Sequence, residues 1–183
     1  MSLFIRGGVQ LIVSLYRDYV LYFGRYSIEK GIGTLIEVCK TLPYIQFVFA
    51  GTGPLEDKIK DVTNIKNVGF KIGSELETLI QEACFSVYPS EWYENCPFSV
   101  MESQMYGTPV IGANIGGIPE LIQIGKTGEL FESGNKDNLQ EKIEELWNNT
   151  SKRKEYSQNC KVINFDAINV YYKKLMIIYE GKN

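Results

Sequence analysis

The chain contains no histidine. That absence removes the commonest metal ligand and the usual base at neutral pH, so any chemistry performed here uses no imidazole of its own. Cysteine is scarce as well. Cys39, Cys84, Cys96 and Cys160 form no Cys-x-x-Cys pair, and three of the four lie in apolar or helical contexts. They read as reduced, mostly buried thiols of a cytoplasmic protein, not as metal ligands or a disulfide framework. No run approaches the ~20 apolar residues of a membrane span. Val9 to Tyr16 is apolar but short, and Arg6-Gly7-Gly8 before it lacks the build of a signal peptide. A basic excess is missing too. Nineteen Lys and Arg against 22 Asp and Glu give a formal net charge of -3, which argues against a nucleic-acid partner.

What is present suits one globular domain. At 183 residues, 44% apolar and 22% charged, the chain can bury a sizeable core. Twelve Tyr and nine Phe supply large buried surfaces without the aromatic-basic repeat of an RNA binder. Residues 1–17 read as a linker, an expression remnant or an unplaced segment, and residues 18–183 as the domain.

Tyr19 to Phe23 is a nearly continuous apolar run closed by Gly24, the pattern of a strand buried on both faces. Further strands are expected at 45–50, 65–70, 85–88, 110–111 and 127–131. Helices are expected at 34–39, 55–62, 74–83 (with Ser74 and Glu77 as a capping box), 139–147, 152–162 and 167–179. Strands alternating with helices predict an α/β fold, a Rossmann-like and mainly parallel sheet flanked by helices. Ligands of such sheets bind beyond the carboxyl ends of the strands. Gly24-Arg25, Gly51-Thr52-Gly53, Ser90 to Phe98 and Gly112 to Gly117 all follow expected strands, so they should converge on one rim.

The stretch from Glu91 to Ile111 organises that rim. Pro97 suits a first helical turn, and Gly107 followed by Thr108-Pro109 marks a left-handed cap and a stop. Phe98, Met101 and Met105 recur on neighbouring turns, predicting an apolar face with Glu102 at its margin. Glu94 and Glu102 therefore flank the positive end of one helix. Carboxylates accept from vicinal hydroxyls, while the backbone N–H groups of residues 97 to 100 and the helix dipole can take an anion. A sugar nucleotide needs both. Arg25 and Lys30 are either solvated surface cations or a clamp for a diphosphate. Gly51 and Gly53 mark either a tight strand-to-helix turn or close backbone approach to a ligand. Neither Gly31-Ile32-Gly33 nor Gly51-Thr52-Gly53 completes G-x-G-x-x-G, which argues against a hydride-transfer cofactor. Gly116-Gly117 is a plain connection or a close approach. Trp92 and Tyr93 either pack or stack on a sugar or base.

Gly24-Arg25 with Lys30-Gly31, Gly51 to Pro54, Pro89-Ser90, the Glu94-x7-Glu102 pair, Gly107 to Val110 and Gly116 to Glu120 together resemble a known pattern. It is that of the C-terminal, donor-binding domain of glycosyltransferase family 4, from about Asp18 onward. The resemblance implies the C-terminal half of a retaining, metal-independent enzyme of GT-B fold. It would move a hexose-type sugar from a UDP- or GDP-linked donor to a glycan or lipid-linked acceptor, without other cofactor. Arg25 and Lys30 would hold the diphosphate, Glu102 the ribose, and Glu94 the transferred sugar near its reacting carbon. Asn95, Phe98, Ser99 and Val100 would add donors, and Gly51, Gly53 and the Phe70-Lys71 region would border the base. The usual Gly-Phe-Gly between the two Glu residues is replaced by Asn95-Cys96-Pro97-Phe98, in which Pro97 cannot donate.

The resemblance also implies an N-terminal GT-B partner domain carrying the acceptor site and a catalytic histidine. The chain alone would then be inactive. The full-length enzyme would be cytoplasmic, with peripheral association at the inner face of the membrane. The competing readings are a non-catalytic nucleotide-sugar-binding module and another GT-B enzyme such as a sugar-nucleotide epimerase.

Overall fold

A computed structural model describes residues 18–163. The expectations for residues 1–17 and for a helix at 167–179 lie outside the described residues. Six strands form one sheet: β1 (Val20–Phe23), β2 (Phe47–Ala50), β3 (Ile65–Asn67), β4 (Phe85–Tyr88), β5 (Val110–Ala113) and β6 (Gly128–Phe131). Their order is β3-β2-β1-β4-β5-β6, and every pairing is parallel. The strand order reverses between β1 and β4, which opens a crevice beyond their carboxyl ends.

Alternation within β1 shows why the sheet is covered on both sides. Val20 and Tyr22 enter the larger core cluster with Phe49, Phe85 and Val87, while Tyr19, Leu21 and Phe23 enter a second one with Val48, Leu79 and Ile80. Successive strand side chains point to opposite faces, so a continuous apolar run is what a doubly covered strand requires. The helices that cover it are α1 (Ile32–Thr41), α2 (Gly73–Glu82), α3 (Phe98–Met105), a short α4 (Ile118–Leu121), α5 (Lys136–Asn148) and α6 (Thr150–Cys160). Asn64, buried between β2 and the end of α1, donates its amide to the carbonyls of Cys39, Leu42 and Ile45. One side chain thus ties the carboxyl end of α1 to the residue that leads into β2.

Several local expectations are corrected. The helix expected at 55–62 is one 3₁₀ turn, Glu56–Ile59. Three-residue bonds along it, Glu56 to Gly53, Lys58 to Leu55 and Val62 to Ile59, keep that connection tight. The strand at 65–70 stops at Asn67, whose carboxamide oxygen accepts from the N–H of Gly69 and turns the chain. Ser74 caps nothing: α2 starts at Gly73 with Ile72 as its extended N-cap, and the Ser74 carbonyl accepts from Thr78. Of the thiols, Cys39 and Cys160 are buried, Cys84 is half-buried and Cys96 is exposed.

The helix α3 differs most. Its expected apolar face is the outer one, with Phe98 75% and Met105 62% exposed. Val100, Ser103 and Gln104 face inward instead. Ser103 is admitted by a 2.7 Å hydrogen bond shared with Ser86 of β4. Gln104 is admitted by donating its amide to the Leu121 carbonyl, although its carboxamide oxygen is buried without a partner among the described residues. The stop after α3 is as expected. Gly107 has φ +82, its N–H reaches the Gln104 carbonyl, and the N–H of Thr108 reaches that of Ser103, a Schellman closure.

Candidate functional site

The loops that follow β1, β2, β4 and β5 meet on one rim, and backbone hydrogen bonds hold them there. The N–H of Tyr26 donates to the Thr52 carbonyl, and that of Leu55 to the Tyr26 carbonyl, joining the β1 and β2 loops. Gly51 and Gly53 belong to this seam. A β-carbon on Gly51 would overlap the Gly24 carbonyl oxygen, and one on Gly53 would lie 2.6 Å from the Tyr26 nitrogen. The close approach that these glycines permit is therefore chain to chain on that side. The N–H of Gly117 donates to the Glu94 carbonyl at 2.6 Å, which fixes the β4–α3 loop against the β5–α4 turn. The N–H of Glu91 donates to the Glu29 carbonyl, linking the same loop to the segment before α1.

On the β2 side of the crevice is a cleft of about 360 Å³ lined by residues including Arg25, Gly53, Pro54, Phe70 and Lys71. The Arg25 carbonyl accepts from the hydroxyl of Tyr22 at 2.7 Å, and its side chain is exposed. Among the described residues that guanidinium has no ion pair. Lys71 is 3.5 Å from Glu75. The arrangement offers a slot for a flat group, with cationic charge at its edge.

On the β4 side the charges already have partners. The Lys30 ammonium lies 2.5 Å from Oε1 of Glu94 and donates to the hydroxyl of Tyr88 at 3.2 Å. The buried Ser90 hydroxyl lies 3.2 Å from the same Glu94 oxygen and within 3.3 Å of the Glu29 and Trp92 carbonyls, three acceptors for its one proton. Desolvation is the largest influence on Lys30 and pulls its pKa down. The hydrogen bonds to Glu94 and Tyr88 outweigh it, so the net shift is upward. Burial holds the Tyr88 phenol above its usual range; Lys30 pulls it down, and Glu94 adds a smaller upward push.

The start of α3 lies beside this pair. The N–H of Val100 is engaged by the Pro97 carbonyl, and the Val100 side chain is in the core. Of the donors expected over 97–100, the N–H groups of Phe98 and Ser99 are those without a partner among the described residues. Asn95 is exposed, as is Glu102 one turn into the helix. Partial desolvation nevertheless pushes the Glu102 carboxyl above the ordinary carboxylate range. Trp92 and Tyr93 do not pack: they are 66% and 79% exposed.

Of the expected site residues, the structure joins Lys30 to Glu94 directly. It places Arg25 with Gly53 in the cleft, with Gly51 in the adjoining seam. It leaves Glu102 without a side-chain partner among the described residues. Tyr88 and Ser90 as partners of that pair were not anticipated. The available signal was their place, the last strand residue and the first polar residue after it. Among the described residues no cluster of acidic or thiol groups could hold a metal ion, and no helix is long and apolar enough to cross a membrane.

Residues 14–162 match the family model described as glycosyl transferases group 1. An uncharacterized glycosyltransferase of Methanocaldococcus jannaschii is 31% identical over 150 residues, covering 79% of this chain and 42% of that protein. The sulfoquinovosyl transferase of Arabidopsis thaliana is 35% identical over 136 residues, covering 71% of this chain and 26% of its own length. The chain thus spans less than half of these curated relatives. Among solved structures, Anabaena HepE in complex with UDP superposes with a TM-score of 0.80 at 21% identity, over 94% of this chain and 51% of that one.

Proposed function

The chain belongs to the group 1 glycosyl transferases, and we propose that it is the donor-binding half of a retaining, metal-independent enzyme of glycosyltransferase family 4. Its all-parallel Rossmann-like sheet is shared with GT-B glycosyltransferases. The donor is a UDP- or GDP-linked hexose. The observation that carries this reading is the meeting of Lys30 with Glu94, 64 positions apart, beside a cleft edged by Arg25. Cations for a diphosphate and a carboxylate for sugar hydroxyls are thereby within one crevice.

In this reading the base enters the cleft bordered by Gly53, Pro54, Phe70 and Lys71. Arg25 and Lys30 take the diphosphate, assisted by the N–H groups of Phe98 and Ser99 at the positive end of α3. Glu102 accepts from the ribose. Glu94 orients the transferred sugar, and Asn95 borders it. As the bond to the leaving diphosphate breaks, the cations stabilise the charge that develops on it, the term with the largest leverage on such a transfer. The acceptor, a glycan or lipid-linked sugar, is presented by an N-terminal domain, and the enzyme works at the cytoplasmic face of the membrane.

Calorimetry of the chain with UDP-glucose and GDP-mannose tests donor binding. Weak but saturable binding of one of them is expected, with Glu102→Ala weakening it; unchanged affinity in the variant removes the role given to Glu102. The chain alone is expected to transfer no sugar, and turnover by it would overturn the division of labour between two domains.

A further inference from the structure

The cation and the carboxylate that a donor would engage are bound to each other in the ligand-free chain. Lys30 and Glu94 are each largely covered, with 27% and 20% of their side chains exposed, so their 2.5 Å pair is only partly screened by water. Tyr88 accepts from the ammonium, and the Ser90 hydroxyl lies within reach of the carboxylate and of two backbone carbonyls, so the pair is enclosed in one polar cluster. Arg25, by contrast, has no ion pair among the described residues.

A ligand that draws Lys30 away must therefore leave Glu94 with something. A nucleoside diphosphate by itself cannot do this. It takes the ammonium and puts its own negative charge beside a carboxylate that has lost its cation, and both effects cost free energy. A nucleotide-sugar carries hydroxyl donors next to its phosphates, so both members of the pair exchange one partner for another. Resting on the donor-binding reading above, we infer that Glu94 is a specificity-determining residue that makes the site prefer an intact nucleotide-sugar over the free nucleoside diphosphate. Specificity of this kind comes from an unfavourable term placed against the wrong ligand. For a transferase the wrong ligand is the spent diphosphate, so the same pair favours product departure.

The test is calorimetry with UDP, UDP-glucose and inorganic pyrophosphate on wild type, Glu94→Gln and Glu91→Gln. GDP and GDP-mannose replace the uridine ligands if these do not bind. Glu91 is three residues earlier on the same loop and accepts from Thr34. Its variant removes equal charge without touching Lys30. Glu94→Gln is expected to bind the free diphosphate and pyrophosphate about fivefold tighter, the order set by losing one partly exposed ion pair. It should bind the nucleotide-sugar no tighter, so the preference collapses, while Glu91→Gln stays near wild type.

Unchanged or weaker diphosphate binding in Glu94→Gln overturns the inference. So does an equal gain in Glu91→Gln, since a general field would then account for it. If Glu94→Gln does not fold, Glu94→Asp keeps the charge but withdraws it by one methylene, and must shift diphosphate affinity in the same direction. No shift there overturns the inference too. Failure of wild type to bind any nucleotide or nucleotide-sugar overturns the donor-binding reading instead. The pyrophosphate series then still judges the pair by itself, and equal affinity in wild type and Glu94→Gln ends it.

Discussion

On the β2 side of the crevice the rim is an open cleft edged by Arg25 and Lys71, while on the β4 side Lys30, Glu94, Ser90 and Tyr88 form a closed polar cluster. The same topology produces both, because each lies beyond the carboxyl end of a strand next to the β1–β4 junction. They differ in how firmly charge is answered within the chain. Arg25 has no ion pair among the described residues, and Lys71 meets an exposed Glu75 at 3.5 Å. Lys30 and Glu94, by contrast, are 2.5 Å apart and largely covered. The open half has little to undo before it takes a ligand. The closed half must trade one set of hydrogen bonds for another, and so responds to what the ligand offers in return. Affinity is expected to come mainly from the first half, discrimination from the second.

The strongest way to break the comparison is to disturb the closed half, where the segment carrying Lys30 meets the strand end and loop carrying Tyr88 and Ser90. Gly31 begins α1 with φ +66, and a β-carbon there would overlap the Pro89 carbonyl oxygen of the β4 loop. Gly31→Ala is expected to cost about 3 kcal/mol or more, by strain and backbone displacement together. Denaturant unfolding measures it, and wild-type stability in the variant would show that the closed half is not locked there. Next in size, Arg25→Ala should weaken both UDP and UDP-glucose about tenfold, the scale of one charge-assisted contact to phosphate. A loss confined to one of the two ligands would erase the contrast between an affinity half and a discriminating half.

A smaller effect concerns Glu102. Desolvation raises its carboxyl pKa in the folded chain. The folded state therefore binds that proton more readily than the unfolded one, and the associated stability is present below the unfolded value and lost as pH rises through the folded one. Glu102→Gln should accordingly melt slightly above wild type at neutral pH, the difference shrinking as pH falls through the carboxylate range. Donor affinity should move oppositely in wild type, weakening on acidification as Glu102 becomes neutral. Melting curves and calorimetry across pH 4 to 7 check both signs. Smallest of all, Gly33→Ala inside α1 meets no atom within 4 Å and should add up to about 1 kcal/mol of stability, with donor binding unchanged.

The sheet was legible because its evidence is local. The run from Tyr19 to Phe23 has no polar residue to spare, and the glycines that close β1 and β2 stand directly after them. The convergence of loops followed from alternation of strand and helix, with no contact known. The orientation of α3 was not legible. Periodicity assigns Phe98 and Met105 inward, but Ser103 and Gln104 take that place because Ser86 and the Leu121 carbonyl wait for them, and such partners are invisible to a pattern of apolar residues. The helix expected at 55–62 failed similarly, since nothing in its composition reports that bonds three residues apart would tighten it. The Lys30–Glu94 pair was half visible. Both residues were singled out for roles toward a ligand, yet their bond to each other depends on 64 residues of intervening fold.

Across the rim, neighbouring loops touch main chain to main chain: Gly51 against Gly24, Gly53 against Tyr26, Gly117 against Asn95, and Gly31 against Pro89. Each contact has a glycine on one side and leaves no room for a side chain there. The loops are thus inherited in matched sets. Transplanting the β4–α3 loop from a relative, to import its sugar preference, should succeed only when the β5–α4 turn and the start of α1 travel with it.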